Sequence, residues 1–169
     1  MDCATLRCAP VGKGSTMAPD PIATIWQRLT TVRALLSQCH SQLQTGWNGE
    51  GEGRVSVDSP TPGILVFNEE GHWQNESGTR FPFRNIYRWT LHSSAPQRIA
   101  LEHLRFGPQN PVFLLDLVPA DAHRLRSLSP HLCGDDRYEA TLYLANNALY
   151  FEWLVKGPAK DEHLLYTYQ

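Results

Sequence analysis

The last quarter of the chain carries residue types that could do chemistry. His131 and Cys133 stand two positions apart in "HLCGDDRY". A thiolate beside a cationic imidazole can act as a nucleophile, and both groups are soft metal ligands. Alternate residues of a strand share one face, but such a pair lacks the third and fourth ligands of a structural metal site. We therefore predict no metal site and interpret Cys133 as a small buried hydrophobe, with a nucleophile as the alternative.

Acidic and basic residues follow in the same region. Asp135 and Asp136 are adjacent, so on a strand they face opposite ways and in a turn they bond backbone amides. Asp136 can act as a general acid or base only if a cavity lies beneath it. Lys160 and Asp161 follow Gly-Pro in "GPAKD". A turn with a solvated lysine is the simplest interpretation there, and a rim that holds an anion is the alternative.

The stretch "RNIYRW" offers two different faces for a ligand. Tyr87 and Trp89 share one face of a strand, whereas Arg84 and Arg88 share the other. An inward aromatic face would suit a planar or lipid-like molecule, and inward arginines would suit a carboxylate or phosphate. Core aromatics with solvated arginines are the simplest structural interpretation.

Composition limits the classes of protein to which the chain can belong. Its 169 residues fit one domain, and 41% hydrophobic residues allow a real core. A net charge of −2 argues against nucleic acid or an anionic membrane as a partner. The four cysteines form no CxxC pair and follow no secretory signal, which favours the reducing cytoplasm. No apolar run reaches the roughly 20 residues of a membrane span, and residues 1–19 are predicted to be a disordered or targeting extension.

A helix is predicted at the start of the domain, over about 20–45. Apolar residues recur at three- and four-residue steps from Ile22 to Cys39. Asp20 suits an N-cap with Pro21 at the first helical position, and Gly46 suits the far end. We expect the apolar stripe to dock against the domain, and the alternative is a surface for a protein partner.

The rest of the domain, over about 51–168, has the pattern of an antiparallel sheet. Short β-rich runs alternate with turn sequences, and apolar side chains occupy every second position around Leu142 and Phe151. "ANNA" and "GPAKD" are compact turns, so the last three strands should form a meander. Closure removes exposed edges, which favours a barrel of about eight strands that is either filled or holds one small ligand.

Several of these segments resemble a known family. In order and spacing, "FRNIYRW", "HLCGDDRY" and "FEWLVKGPAKDEHLLYTY" resemble a β-rich family catalogued as a domain of unknown function. Its pattern is Arg-x-Tyr-x-Trp, then His-x-Cys-x-x-Asp-x-Tyr, then Trp-x-Val-x-Gly-Pro-x-Lys-Asp. Asn85 departs from the pattern, which leaves Arg84 or Arg88 to take the arginine's role. The resemblance covers about 51–168 and implies a lipocalin-type or calycin-like barrel without an established reaction.

We therefore predict an α+β, mainly β, single domain over 20–169, in which one amphipathic helix flanks a calycin-like barrel. The first functional hypothesis is a binding module for a small apolar or amphipathic molecule, without a cofactor. The expected lining rings, followed by the expected polar handles, are Tyr87, Trp89, Tyr138, Trp153, Tyr166, Arg88, His131 and Lys160. The alternatives are an enzyme that uses His131, Cys133 or Asp136 on an enclosed small substrate, and an interaction protein that binds a partner through its helix.

Overall fold

A computed structural model describes residues 20–43 and 47–169 of the chain. Within these ranges there is one α-helix, and eleven strands form one antiparallel sheet. The elements in chain order are α1 (Pro21–Leu29), β1 (Ala34–Ser41), β2 (Gly49–Asp58), β3 (Ile64–Asn75), β4 (Arg80–His92), β5 (Arg98–His103), β6 (Val112–Pro119), β7 (Arg124–Ser127), β8 (His131–Cys133), β9 (Asp136–Ala145), β10 (Ala148–Gly157) and β11 (Lys160–Tyr168). The predicted extension over 1–19 and the predicted helix end at Gly46 lie outside the described residues.

The sheet closes on itself to form a barrel. Its strand order is β10-β11-β1-β2-β3-β4-β5-β6-β7-β9, and β10 pairs with β9 as well as with β11. Ten strands therefore make the ring, and β8 pairs with β9 outside it. The prediction of about eight strands is wrong, because β1 resembles a continuation of the helix in sequence and the four-residue β7 is too short to show an alternating pattern.

The helix begins where the sequence predicts and ends much earlier. The Asp20 carboxylate accepts a hydrogen bond from the Ile22 amide at 2.9 Å, and Pro21 opens the first turn. The helix ends at Leu29, and Ala34–Ser41 is a strand with every second side chain buried. The predicted helix over 20–45 is therefore wrong beyond its first turns. Leu36, which the helical stripe would bury, is 48% exposed on the outer face of β1.

The helix closes one end of the barrel. Ile22, Ile25 and Leu29 are buried in the main apolar core, and α1 packs against β6, β7 and β10. The Arg28 guanidinium donates to the Asn147 carbonyl oxygen in the turn between β9 and β10. The expected docking of the helix is confirmed, and its apolar face is occupied by the barrel. A protein partner could bind this apolar face only if the helix first separated from the barrel.

Alternation and turn chemistry build the last three strands as predicted. Ala140 and Leu142 of β9 and Phe151 of β10 are buried, and their neighbours along the strands point outward. Asn146 and Asn147 adopt positive φ angles of 47° and 62°. Two consecutive residues in that region form the tight turn whose twist matches antiparallel strands. The core near the helix is one continuous cluster of buried apolar side chains.

Candidate functional site

A cavity of about 270 Å³ opens at the end of the barrel opposite α1. We call it the mouth cavity. All of its walls are at the end of the barrel far from the helix. They are formed near the last residues of β5 and β10 and near the first residues of β6, β9 and β11. Its lining residues are Tyr87, His103, Arg105, Val112, Leu114, His131, Cys133, Tyr138, Trp153, Val155, Glu162, Leu164 and Tyr166.

Strand register explains how residues distant in sequence reach one wall of the mouth cavity. Residues that face each other across antiparallel strands share a side of the sheet, so inward side chains form rows across the strands. The outermost row is Cys133, Asp136, Gly157 and Lys160. The next two rows are His131, Tyr138, Val155 and Glu162, and then Ala140, Trp153, Leu164 and Cys39.

An ion pair crosses the outermost row. The Lys160 Nζ lies 2.7 Å from a carboxylate oxygen of Asp136 and donates to the Tyr138 hydroxyl oxygen at 2.9 Å. Gly157 lies between the two charged residues, and a Cβ there would overlap the Asp136 carboxylate. The absence of a side chain at Gly157 is therefore what lets the pair form. The hydrogen bonds to Asp136 and then to Tyr138 raise the pKa of Lys160, so this lysine stays cationic at neutral pH.

Two imidazole rings flank the mouth cavity, each beside a tyrosine. The His103 ring meets the Tyr87 ring edge-on, with centroids 4.8 Å apart, and the His131 and Tyr138 rings do so at 5.9 Å. The His103 Nδ1 accepts a hydrogen bond from the Arg105 backbone amide at 2.9 Å. Burial, and then the charge of Arg105, lower the pKa of His103. A neutral His103 whose Nδ1 accepts carries its proton on Nε2 and can donate from there.

A buried carboxyl group lies behind this lining. Glu69 is 0% exposed, accepts a hydrogen bond from the Tyr168 hydroxyl at 2.6 Å and lies 3.3 Å from the Asn85 amide nitrogen. Among the described residues it has no cationic partner within 4.0 Å. Burial raises the pKa of Glu69 to about 7, and the hydrogen bonds from Tyr168 and Asn85 oppose part of that rise.

Two of the cavity tyrosines lie within the electrostatic reach of Glu69. Burial, and then the neighbouring Tyr166 and Glu69, raise the pKa of Tyr87. Burial and the same carboxyl group raise the pKa of Tyr166. Both hydroxyls therefore stay protonated and can donate hydrogen bonds to a ligand. Burial, and then Glu162, raise the pKa of Cys39 to about 11, so this cysteine is a thiol at neutral pH.

The structure brings together most of the residues that the sequence predicts for a ligand site. The predicted residues that line the mouth cavity are Tyr87, His131, Tyr138, Trp153 and Tyr166. Lys160 lies at its rim through its bond to the Tyr138 hydroxyl. Of the two alternatives for the strand that contains Tyr87, the aromatic face is the inward one.

Trp89 and Arg88 lie elsewhere. Trp89 is 0% exposed, and its ring packs between Phe67 and Phe151 with centroid distances of 5.7 and 5.4 Å. It belongs to the filled core and does not line the mouth cavity. Arg88 points outward, where its Nε lies 2.6 Å from a carboxylate oxygen of its cross-strand neighbour Glu102. The charge of Arg88 is therefore paired within the protein, and no ligand is needed to explain the position of its side chain.

The residues considered for catalysis are separated by their surroundings. His131 and Cys133 both line the mouth cavity, but Cys133 is exposed, and its interpretation as a buried hydrophobe is wrong. The short strand β8 lies outside the barrel ring and so cannot bury it. Asp136 is held by Lys160. Over 20–43 and 47–169 the structure places no group of three or more His, Cys, Asp or Glu side chains where they could hold a metal ion.

Sequence reasoning missed part of the site. Glu69 stands in "FNEEGHW", where two consecutive glutamates resemble a solvated turn, yet its alternation with Leu65 and Phe67 places it on the buried face. His103 is the last residue of β5 and Arg105 lies just beyond it, and Glu162 lies on the inward face of β11 beside Leu164. Strict alternation along β11 predicts the inward position of Glu162, but no pattern in the sequence shows that it faces a cavity.

The geometry defines a class of fold, a closed antiparallel barrel that a helix seals at one end and that is hollow at the other. The chain belongs to the family of unknown function DUF6314, whose profile matches residues 30–169. That match begins after α1 and includes every strand of the barrel. Comparisons with curated proteins and with solved structures found no match. Among the described residues, no helix is both long enough and apolar enough to span a membrane.

Proposed function

We propose that this protein binds a small amphipathic molecule in the mouth cavity. The observation that supports this proposal is a hollow barrel end walled by rings with polar tips, in a barrel whose other end is filled. A volume of about 270 Å³ is just below the usual range for drug-sized ligands, roughly 300–1,000 Å³. The proposed ligand is therefore about the size of one substituted ring or a short chain.

The apolar part of the wall would hold the hydrocarbon part of the ligand. Its residues are Val112, Leu114, Trp153, Val155 and Leu164. Trp153 is the largest of them and packs against the core through Phe151, with ring centroids 4.9 Å apart. Apolar surface removed from water contributes about 25 cal/mol per Å², so a ring stacked on Trp153 supplies most of the affinity of so small a ligand.

The polar part of the wall explains why the proposed ligand is amphipathic and not a pure hydrocarbon. Three tyrosines and two histidines present hydroxyl and imidazole groups to the mouth cavity. Polar groups that a ligand covers need new partners, because an unsatisfied buried donor costs roughly 1–3 kcal/mol. Barrels of the lipocalin type, which have about eight strands, can hold one small ligand inside. We propose the same kind of calycin-like binding for this barrel of ten strands.

Trp153 provides a direct test of this proposal. Trp153→Leu should weaken binding of an environment-sensitive hydrophobic dye about tenfold, which corresponds to roughly 1.4 kcal/mol, because the ligand loses its largest apolar contact. Titration followed by dye fluorescence gives the affinity. Leu154→Ala is the matched control, because Leu154 is the next residue on β10 and is 47% exposed on the outer face. Equal dye binding by both variants and the parent, or no binding at micromolar concentrations, would reject the proposal.

A further inference from the structure

The Tyr138 hydroxyl has a proton that no neighbour uses. Its oxygen accepts a hydrogen bond from the Lys160 ammonium at 2.9 Å. An ammonium group has only donors, so Tyr138 must give its own proton to something else. Within the described ranges the structure shows no acceptor for that proton, and Tyr138 lines the mouth cavity. The hydroxyl is thus a free donor at the wall of a hollow site.

Lys160 makes this donor stronger. A hydroxyl that accepts from a charged group is polarised and becomes a better donor on its other side. Asp136 fixes the lysine from the opposite direction at 2.7 Å, and Gly157 leaves the space that both side chains need. The position of the ammonium is therefore set by the fold before any ligand arrives.

Two further polar groups line the mouth cavity, His131 beside Tyr138 and Arg105 just beyond the end of β5. The His131 ring is next to Tyr138 in its row, and Arg105 lines the cavity without an ion-pair partner within 4.0 Å in the described part of the chain. Glu162 is the one negative group among the lining residues. Val155 separates it from Tyr138 in the row, so two strand spacings, about 10 Å, lie between their backbones. An anionic group on a ligand would therefore lie closer to Tyr138 and His131 than to Glu162.

We infer that the mouth cavity binds a small organic carboxylate, whose oxygens accept from Tyr138 and are attracted by Arg105 and His131. Its hydrocarbon part lies toward Trp153 and Leu164. This inference rests on the proposed function and names its ligand class. The Lys160–Asp136 pair is neutral as a unit, so Tyr138 transmits the polarity of the lysine while Arg105 supplies the balancing positive charge.

Matched probes separate this inference from the broader proposal. Phenylacetate and phenylacetamide have the same ring and nearly the same shape, and they differ in the negative charge. Calorimetric titration of the full chain should show phenylacetate binding about tenfold more tightly than the amide. Tyr138→Phe should remove most of that advantage. Lys156→Met, which removes a cation that pairs with Asp161 on the outer face, is the control and should leave the advantage intact.

The outcomes distinguish the two proposals. If the dye binds while the two probes bind equally well, or if folded Tyr138→Phe keeps the preference for phenylacetate, the carboxylate inference is overturned and the proposed function stands. If neither the dye nor either probe binds the parent protein, both are overturned. Unchanged thermal unfolding of Tyr138→Phe would establish that the variant is folded, as expected for the loss of one hydroxyl at the barrel mouth.

Discussion

At the scale of the residue, two positions carry chemistry that the rest of the barrel must accommodate. Glu69 is a carboxyl group enclosed among aromatic rings with neutral hydrogen-bonding partners. A buried charge without a counter-charge is costly, so such a group holds its proton more tightly than in water. At Gly157 the absence of a side chain is what matters, because it leaves the space in which Asp136 reaches Lys160.

Glu69 should make the stability of the protein depend on pH. Its pKa rises from 4.5 in the unfolded chain to about 7 in the fold. The folded state therefore binds the proton more tightly, and the free energy of unfolding should fall as pH increases from about 4.5 to about 7. The full shift corresponds to about 3 kcal/mol as an upper estimate. Denaturant unfolding should show that Glu69→Gln matches the parent near pH 4 and is more stable than the parent at pH 8.

The neighbouring Glu70→Gln is the control for this measurement. Glu70 is on the outer face of β3, where its side chain is 67% exposed and faces Arg84. Its replacement should leave the pH dependence of the parent almost unchanged. A Glu69→Gln variant with the same decline in stability between pH 5 and pH 8 as the parent would show that another group is responsible.

Gly157→Ala should destabilise the fold by about 1–3 kcal/mol, because the new Cβ overlaps the Asp136 carboxylate and forces it away from Lys160. The same substitution should cost less in an Asp136→Ala background, where the space is free. Thermal or denaturant unfolding of the two single variants and the double variant completes the cycle. Strictly additive effects would contradict the idea that Gly157 serves the Asp136–Lys160 pair.

At the scale of the element, the nine-residue helix acts as the seal of one barrel end. Ile22, Ile25 and Leu29 form its buried face, and the other residues of α1 are exposed or half-buried. A helix this short is marginal in isolation, so its stability comes from packing against the barrel. The seal is part of the main core and not an appended segment.

Leu29→Asp should therefore destabilise the whole protein. Leu29 is fully buried in the core, and a carboxylate there would lose its hydration among apolar side chains, so the expected loss is on the order of 3 kcal/mol. Gln27→Asp, on the exposed side of the same helix, should change the melting temperature little. If both variants melt with the parent, the helix does not contribute to the stability of the core.

The start of this helix is readable from the sequence and its end is not. Asp20 and Pro21 are strong local signals. Beyond Leu29, the residues Val32, Leu36 and Cys39 continue three- and four-residue steps by coincidence, while the true pattern of β1 alternates through Leu35, Ser37 and Cys39. Ser37 is buried although it is polar. Because Ser37 is polar, the two-residue repeat of β1 is not visible when only the apolar residues are considered.

At the scale of the whole molecule, the sequence predicts a closed antiparallel barrel but not its size or its hollow end. Alternation shows that Tyr87 and Tyr166 point inward. It cannot show that both reach the same cavity, because strand neighbours and register follow from how the ring closes. The same limit explains Trp89, which shares a face with Tyr87 but lies two positions closer to the sealed end, where the core is full.

Beside β8, one part of the barrel wall has fewer strand partners than the rest. β7 and β8 pair with the same edge of β9. On its other edge β7 pairs with β6, where it reaches only Leu117–Pro119. In the described part of the chain, Val112 to Leu115 therefore have a strand partner in β5 alone. A segment held by a single ladder opens locally at a lower free energy than the whole fold requires. Val112 and Leu114 line the mouth cavity, so the least extensively paired part of the barrel wall borders that cavity.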